Sequence, residues 1–112
     1  MDIQTIKKAL DFKNSHIHLI DWALNKNCSI SVDVDGFEKL IKSKIFCEIK
    51  KIVESDDKTK ISIYDENDNF KGWALIIHFN GGQDCVSDYS ANKFMNSWAE
   101  DSEKFYNELE ID

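Results

Sequence analysis

Two runs of alternating apolar residues commit the middle of this chain to an antiparallel hairpin. In residues 59–64, Ile61 and Ile63 alternate with Lys60 and Ser62. In residues 71–79, Trp73, Leu75, Ile77 and Phe79 share one side, and Ala74, Ile76 and His78 share the other. A period of two is the signature of a strand. The segment between the runs, Asp65-Glu66-Asn67-Asp68-Asn69, is rich in residues that tolerate turn geometry. Both faces of the second run are largely apolar, so it is expected at the centre of a sheet, covered on both sides. Asn80-Gly81-Gly82-Gln83 reads as a second turn and 84–88 as a short strand that completes a meander.

Helical periodicity takes over on either side. Ile3, Ile6, Leu10, Ile17, Ile20 and Leu24 recur at helical spacing over 2–25, with a lapse at Lys13-Asn14-Ser15 where Ser15 can cap a second helix. Asn25-Lys26-Asn27 reads as the stop. Residues 28–34 alternate Cys28, Ile30, Val32 and Val34 against Ser29, Ser31 and Asp33, which predicts an edge strand with one wet face. Asp35 reads as an N-cap. Phe37, Leu40, Ile41, Ile45, Ile49, Ile52 and Val53 then predict one amphipathic helix to about Glu54, with Lys39, Lys42, Lys50 and Lys51 outside. Ser90 is the expected cap of a last helix, 91–109, whose buried stripe is Phe94, Met95, Trp98, Phe105 and Leu109. The expected fold is α+β, a two-layer antiparallel meander sheet with three helices, in the order α-β-α-β-β-β-α.

A chain of 112 residues with no proline and four glycines is expected to form a single domain over 1–112. Its hydrophobic fraction of 42%, with Trp22, Trp73 and Trp98 spread along it, is enough for one core. Cys28, Cys47 and Cys85 are odd in number, far apart and without a CxxC pair. They are expected to be reduced and mostly buried in a cytoplasmic protein. The start lacks a leader-type apolar region and no apolar run reaches the ~20 residues that span a bilayer, so no membrane partner is expected.

No pattern for catalysis, metal or cofactor binding stands out. Asp33, Asp35 and Gly36 hint at a calcium loop, but the final bidentate position falls on Lys42. Asp65, Asn67 and Asn69 have the right first spacing, but Phe70 and Ile76 stand where glycine and glutamate are needed. His16 and His18 lie two apart, so on a helix they diverge, and no third ligand is near in sequence. Cys85 with His78 is the one thiol–base pair available on adjacent strands. A pocket around Trp73, His78, Cys85 and Tyr89, with Asp88 beside it, is the alternative reading, as a small ligand-binding or enzymatic domain. A third is an accessory or homodimeric subunit pairing through the apolar edge at 28–34. The expectation is a non-enzymatic protein with no catalytic residues, no metal and no cofactor.

Charge is the feature that rises above this background. The net charge is −7 and every cationic side chain other than histidine is lysine. The absence of arginine and the negative charge argue against nucleic acid as a direct ligand and favour a basic protein partner. Glu100, Asp101, Glu103, Glu108, Glu110 and Asp112 face a single Lys104 in the last thirteen residues. Acids near a helix C-terminus oppose the helix dipole, so they are not placed there for local stability. Asp56, Asp57, Asp65, Glu66 and Asp68, with Glu54, form a second acid-rich stretch. The expected surface combines the two, in a monomer or homodimer, and docks on a basic groove by standing in for phosphates. The run Glu100-Asp101-Ser102-Glu103-Lys104-Phe105-Tyr106-Asn107-Glu108 resembles the acidic tail helix of small Cas9-inhibiting anti-CRISPR proteins. That resemblance covers nine residues and does not place the chain in the family. What it implies is an inhibitor, of the anti-CRISPR or nuclease-immunity kind, whose partner is a nuclease or a CRISPR effector.

Overall fold

The structure, a computed structural model, describes residues 12–109. The chain runs α1 (Ser15–Asn25), β1 (Ser29–Val34), β2 (Phe37–Ser43), α2 (Phe46–Val53), β3 (Lys58–Tyr64) and β4 (Phe70–Ile77). Two 3-10 turns, His78–Asn80 and Gly82–Cys85, lead into β5 (Val86–Tyr89) and α3 (Lys93–Leu109). The strands form one antiparallel sheet in the order β2-β1-β3-β4-β5. The α+β class, the antiparallel sheet and, among the described residues, three helices stand as expected. The predicted stripe at Ile3, Ile6 and Leu10 lies outside the described residues.

The order differs at one place. Residues 37–43, expected as the first half of a helix, are a strand, and only Phe46–Val53 is helical. Asp35 is no helix cap. With Gly36 it makes a two-residue hairpin turn with both φ angles positive, 54° and 82°, the backbone that matches the twist of the flanking strands. β2 then pairs with β1 through Val34–Phe37, Asp33–Glu38, Val32–Leu40 and Ile30–Ser43, with two register shifts. Each shift adds a residue on the β2 side, which converts a period of two into the three-residue steps Phe37, Leu40, Ser43 and imitates a helix. β1 is therefore interior rather than an edge. Ser29 and Ser31, expected on a wet face, are buried, and Ser31 Oγ accepts the Lys42 N–H at 2.9 Å. β2 takes the edge, with Phe37, Ile41 and Ile45 exposed among Lys39, Lys42 and Lys44, the cationic trim that discourages edge pairing.

The core lies on one side of the sheet. The cross-strand rows Ile30–Ile63–Gly72, Val32–Ile61–Ala74–Tyr89 and Val34–Thr59–Ile76–Val86 share a face. Their apolar members pack with Leu19, Ile20 and Ala23 of α1, Ile49 and Val53 of α2, and Met95 and Trp98 of α3. The other face carries Lys60, Ser62, Trp73 and Leu75. Trp73, Leu75 and Ile77 stay half-exposed, with the Lys60 ammonium 5.2 Å from the centre of the Trp73 ring. β4 is thus interior to the sheet, beside the edge strand β5, but covered on one side only, and Trp73 lies outside the core. Phe79 sits in a 3-10 turn and is 86% exposed. Among the described residues no helix is long and apolar enough to cross a membrane.

Local chemistry sets the element ends. α1 stops where Asn27 turns left-handed at φ 61°, with the Cys28 N–H on Ala23 O and the Asn27 N–H on Leu24 O, a Schellman closure. α3 is capped by Asn92, whose Oδ1 accepts the Met95 N–H at 2.8 Å. Ser90, the expected cap, accepts the Trp73 N–H instead. Ser102 and Tyr106 join Met95 and Trp98 on the buried side of α3.

A Cβ on Gly72 would stand 2.5 Å from Met95 Cγ and 2.9 Å from Ser90 Oγ. Gly72→Ala is expected to cost about 1–3 kcal/mol in urea unfolding, and its loss combined with that of Met95→Ala to be less than additive. His18 Nδ1 accepts the Trp98 N–H at 3.1 Å, and burial holds its pKa below the ordinary 6.5 against the pull of Asp21 and Asp101. Below pH 6.5 the unfolded chain binds the proton that the folded one refuses, so this contribution is full above that value and fades as the pH falls. The urea midpoint is expected to drop between about pH 8 and about pH 5, and to drop less in His18→Gln.

Candidate functional site

Two features carry chemistry: the outer face of α3 and a histidine–cysteine cluster at one end of the sheet. On α3, Glu100, Asp101, Glu103 and Glu108 are exposed, with Lys104 the single cation among them. Glu100, Glu103 and Glu108 border one shallow concavity with Lys104 and Asn107. Asp101 lies at the start of a second groove of about 600 Å³ between α1 and α3, lined by Phe12, His18, Asp21, Trp22, Lys26 and Phe105 among others. Its Oδ2 accepts the Trp22 indole N–H at 2.9 Å. The Lys26 ammonium stands 4.9 Å from the Trp22 ring centre, so that aromatic wall already receives a cation. Glu110 and Asp112 lie outside the described residues.

The second acid-rich stretch does not gather into one place. Asp56 and Asp57 precede β3 and Asp65, Glu66 and Asp68 follow it. The seven residues of β3 set the two groups about 20 Å apart. Several of these carboxylates have structural partners. Asp57 accepts the Phe79 N–H at 2.9 Å through Oδ1 and the His78 N–H at 2.7 Å through its carbonyl. Asp65 Oδ1 accepts the N–H groups of Asn67 and Asn69, both at 2.9 Å, which closes the β3–β4 turn and holds its carboxyl below the usual range. Asp68 lies 3.7 Å from Lys42 Nζ. Glu54, counted with the acids, turns inward to a histidine.

That histidine is His16, fully buried on the inner face of α1. Asn14 Oδ1 accepts the Gly82 N–H at 2.8 Å and Ser15 Oγ the Val86 N–H at 2.9 Å, so the first turn of α1 is tied to the segment entering β5. The tie sets the His16 and His78 rings edge to face, 5.6 Å between centres. Cys85, at the end of the second 3-10 turn, completes the group. A ring nitrogen from each histidine and Cys85 Sγ lie within 4.8 Å of one another. His16 Nε2 meets Glu54 Oε2 at 2.7 Å, and Glu54 Oε1 takes Lys50 Nζ at 2.8 Å. Burial pushes the Glu54 carboxyl up, but the Lys50 and His16 hydrogen bonds outweigh it and hold it below its ordinary value. Burial lowers the His16 pKa despite the Glu54 hydrogen bond. A neutral imidazole facing a carboxylate puts its proton on Nε2 and leaves Nδ1 a bare lone pair. The Nδ1 atoms of both His16 and His78 are buried without a hydrogen-bond partner among the described residues.

The expected divergence of His16 and His18 is what α1 shows. His18 turns to Trp98 and Phe105, His16 to His78. The pocket expected around Trp73, His78, Cys85 and Tyr89 does not form as one cavity. Tyr89 pairs with Ala74 on the helix side and packs on Trp98, while Trp73 points to the opposite face. Cys85 is fully buried, and burial raises its thiol pKa, so the Cys85–His78 pair lacks the accessible thiolate a nucleophile requires. His16 and Glu54 were missed as members of this group, because nothing in local spacing joins residues 16, 54, 78 and 85.

Cys47 is exposed whereas Cys28 and Cys85 are buried. Native-state alkylation followed by peptide mass spectrometry is expected to label Cys47 first, and Cys28 and Cys85 only at the rate of unfolding. Equal labelling of all three would contradict the packing described. No family model, curated protein or solved structure matches the chain.

Proposed function

We propose that this protein works by binding a basic protein partner through the outer face of α3 and the groove between α1 and α3. The observation that carries the reading is the continuity of the two. Glu100, Glu103 and Glu108 form an exposed acidic row, and Asp101 joins that row to a groove walled by Trp22 and Phe105, with Asp21 as a second carboxylate. A lysine or arginine side chain of a partner would find aromatic faces and two acids there, while the row meets further cations around it. The surface is narrower than the sequence implied. Asp56, Asp57, Asp65, Glu66 and Asp68 border neither the row nor the groove, and Asp57, Asp65 and Asp68 are engaged by their own neighbours.

The partner class that fits is a basic nucleic-acid-handling protein, a nuclease or a CRISPR effector, whose phosphate-binding groove the acidic helix would occupy. The resemblance to anti-CRISPR tail helices falls on this same segment. Three unpaired cysteines suit a reducing, cytoplasmic setting.

The test is affinity capture at low salt from cells of the native source, followed by titration of the captured partner. Affinity is expected to fall steeply with salt. The triple reversal Glu100→Lys, Glu103→Lys, Glu108→Lys is expected to weaken it roughly tenfold or more, about 1.4 kcal/mol. Reversal of Asp65, Glu66 and Asp68 to lysine is expected to change it little. Affinity indifferent to both salt and the α3 reversal would overturn the reading.

A further inference from the structure

We propose that His16, His78 and Cys85 form a zinc-binding site, independent of the acidic face. Three donors of the right chemistry converge from separate parts of the chain, within 4.8 Å of one another. A tetrahedral zinc with Zn–N near 2.0–2.1 Å and Zn–S near 2.3 Å needs donor separations of roughly 3.3–3.7 Å. The group is therefore up to about 1 Å wider than a loaded site, a difference that rotation about the His78 and Cys85 side-chain bonds would have to take up on binding.

The arrangement around the donors is the one a metal requires. Both Nδ1 atoms are buried and without a partner among the described residues, and a buried polar atom in that condition is destabilising. A cation bonded to both would remove the penalty. The Nε2 of His16 is already committed to Glu54, at 2.7 Å, which is the carboxylate–histidine pairing that fixes the tautomer and aims the other nitrogen at a metal. Lys50 holds Glu54 in turn, so the positioning group is itself positioned. The ligand set of two imidazoles and one thiolate matches a borderline ion rather than a hard one such as calcium or magnesium. His78 is half-exposed, which leaves the fourth position to water on the solvent side. Binding converts the Cys85 thiol to a thiolate, so the S–H proton passes to the buffer as the metal–sulfur bond forms.

Cobalt(II) reports such a site directly, because it takes the zinc geometry and absorbs visibly. The reduced full-length chain is titrated with cobalt(II) in a Cys47→Ser background, which removes the exposed thiol as a competing ligand. One equivalent is expected to produce a thiolate-to-cobalt charge-transfer band and d–d bands of tetrahedral intensity, both erased by zinc. Cys85→Ser is expected to abolish the charge-transfer band. His78→Ala, at a half-exposed position that the fold tolerates, is expected to weaken binding by at least about tenfold, and Glu54→Gln by about 10–100-fold with the band shape kept. No charge-transfer band at stoichiometric cobalt, or a band that survives both Cys85→Ser and His78→Ala, would overturn the site and leave the cluster a neutral packed group.

Discussion

The first turn of α1 is bound to the approach of β5 by two side chains, and much of the molecule's chemistry follows from that attachment. Asn14 and Ser15 present their oxygens to the Gly82 and Val86 N–H groups, backbone donors that the sheet leaves unsatisfied where β5 begins. Once that end of α1 is held, His16 has nowhere to go but against His78 and Cys85, and Glu54 at the end of α2 closes over its other nitrogen. The farther end of the helix is placed by packing, through Leu19, Ile20 and Ala23 on the core rows of the sheet. A polar tie and an apolar stripe thus set the helix's position and its rotation separately.

The sheet divides the molecule into unlike sides. Its inner face is aliphatic and close-packed to the point that one strand position, Gly72, must lack a side chain to let Met95 of α3 approach. The outer face mixes serines, lysines and half-exposed Trp73 and Leu75. Because α3 spends Met95, Trp98, Ser102 and Tyr106 on the inner face, the carboxylates between them are turned outward by the 3.6-residue period. The acidic row is then a necessary product of where the helix buries itself, and the groove beside it exists because α1 and α3 lie side by side with aromatic rings between them.

Much of the fold was legible in the sequence, and the failures have local causes. The β3–β4 hairpin, the end of α1 at Asn27 and the Met95 and Trp98 positions of the α3 stripe could be read because each depends on near neighbours. Residues 37–43 were misread because two bulges give the strand three-residue steps, Phe37 to Leu40 being the apolar one. The contrary signal was present: Asp35-Gly36 between two apolar runs is a strong hairpin turn, and it outranks the single acid's preference for a helix cap. Accepting that turn also moves β1 from the edge to the interior, which explains why Ser29 and Ser31 are buried. The acid-rich segments were legible as composition but not as a surface, since charge counts do not say that a strand of seven residues will stand between two of them.

By itself the sequence determined the class of fold, the hairpin at its centre and the amphipathic stripe that points the α3 carboxylates to solvent. Those properties rest on alternation, turn chemistry and helical period, all of which act over a few residues. Only the tertiary structure decided which acids share a face and that His16, Glu54, His78 and Cys85 meet. These residues come from α1, the end of α2, the 3-10 turn after β4 and the 3-10 turn before β5. No periodicity links them, and their meeting depends on the strand order and on the two hydrogen bonds that draw the start of α1 onto the sheet.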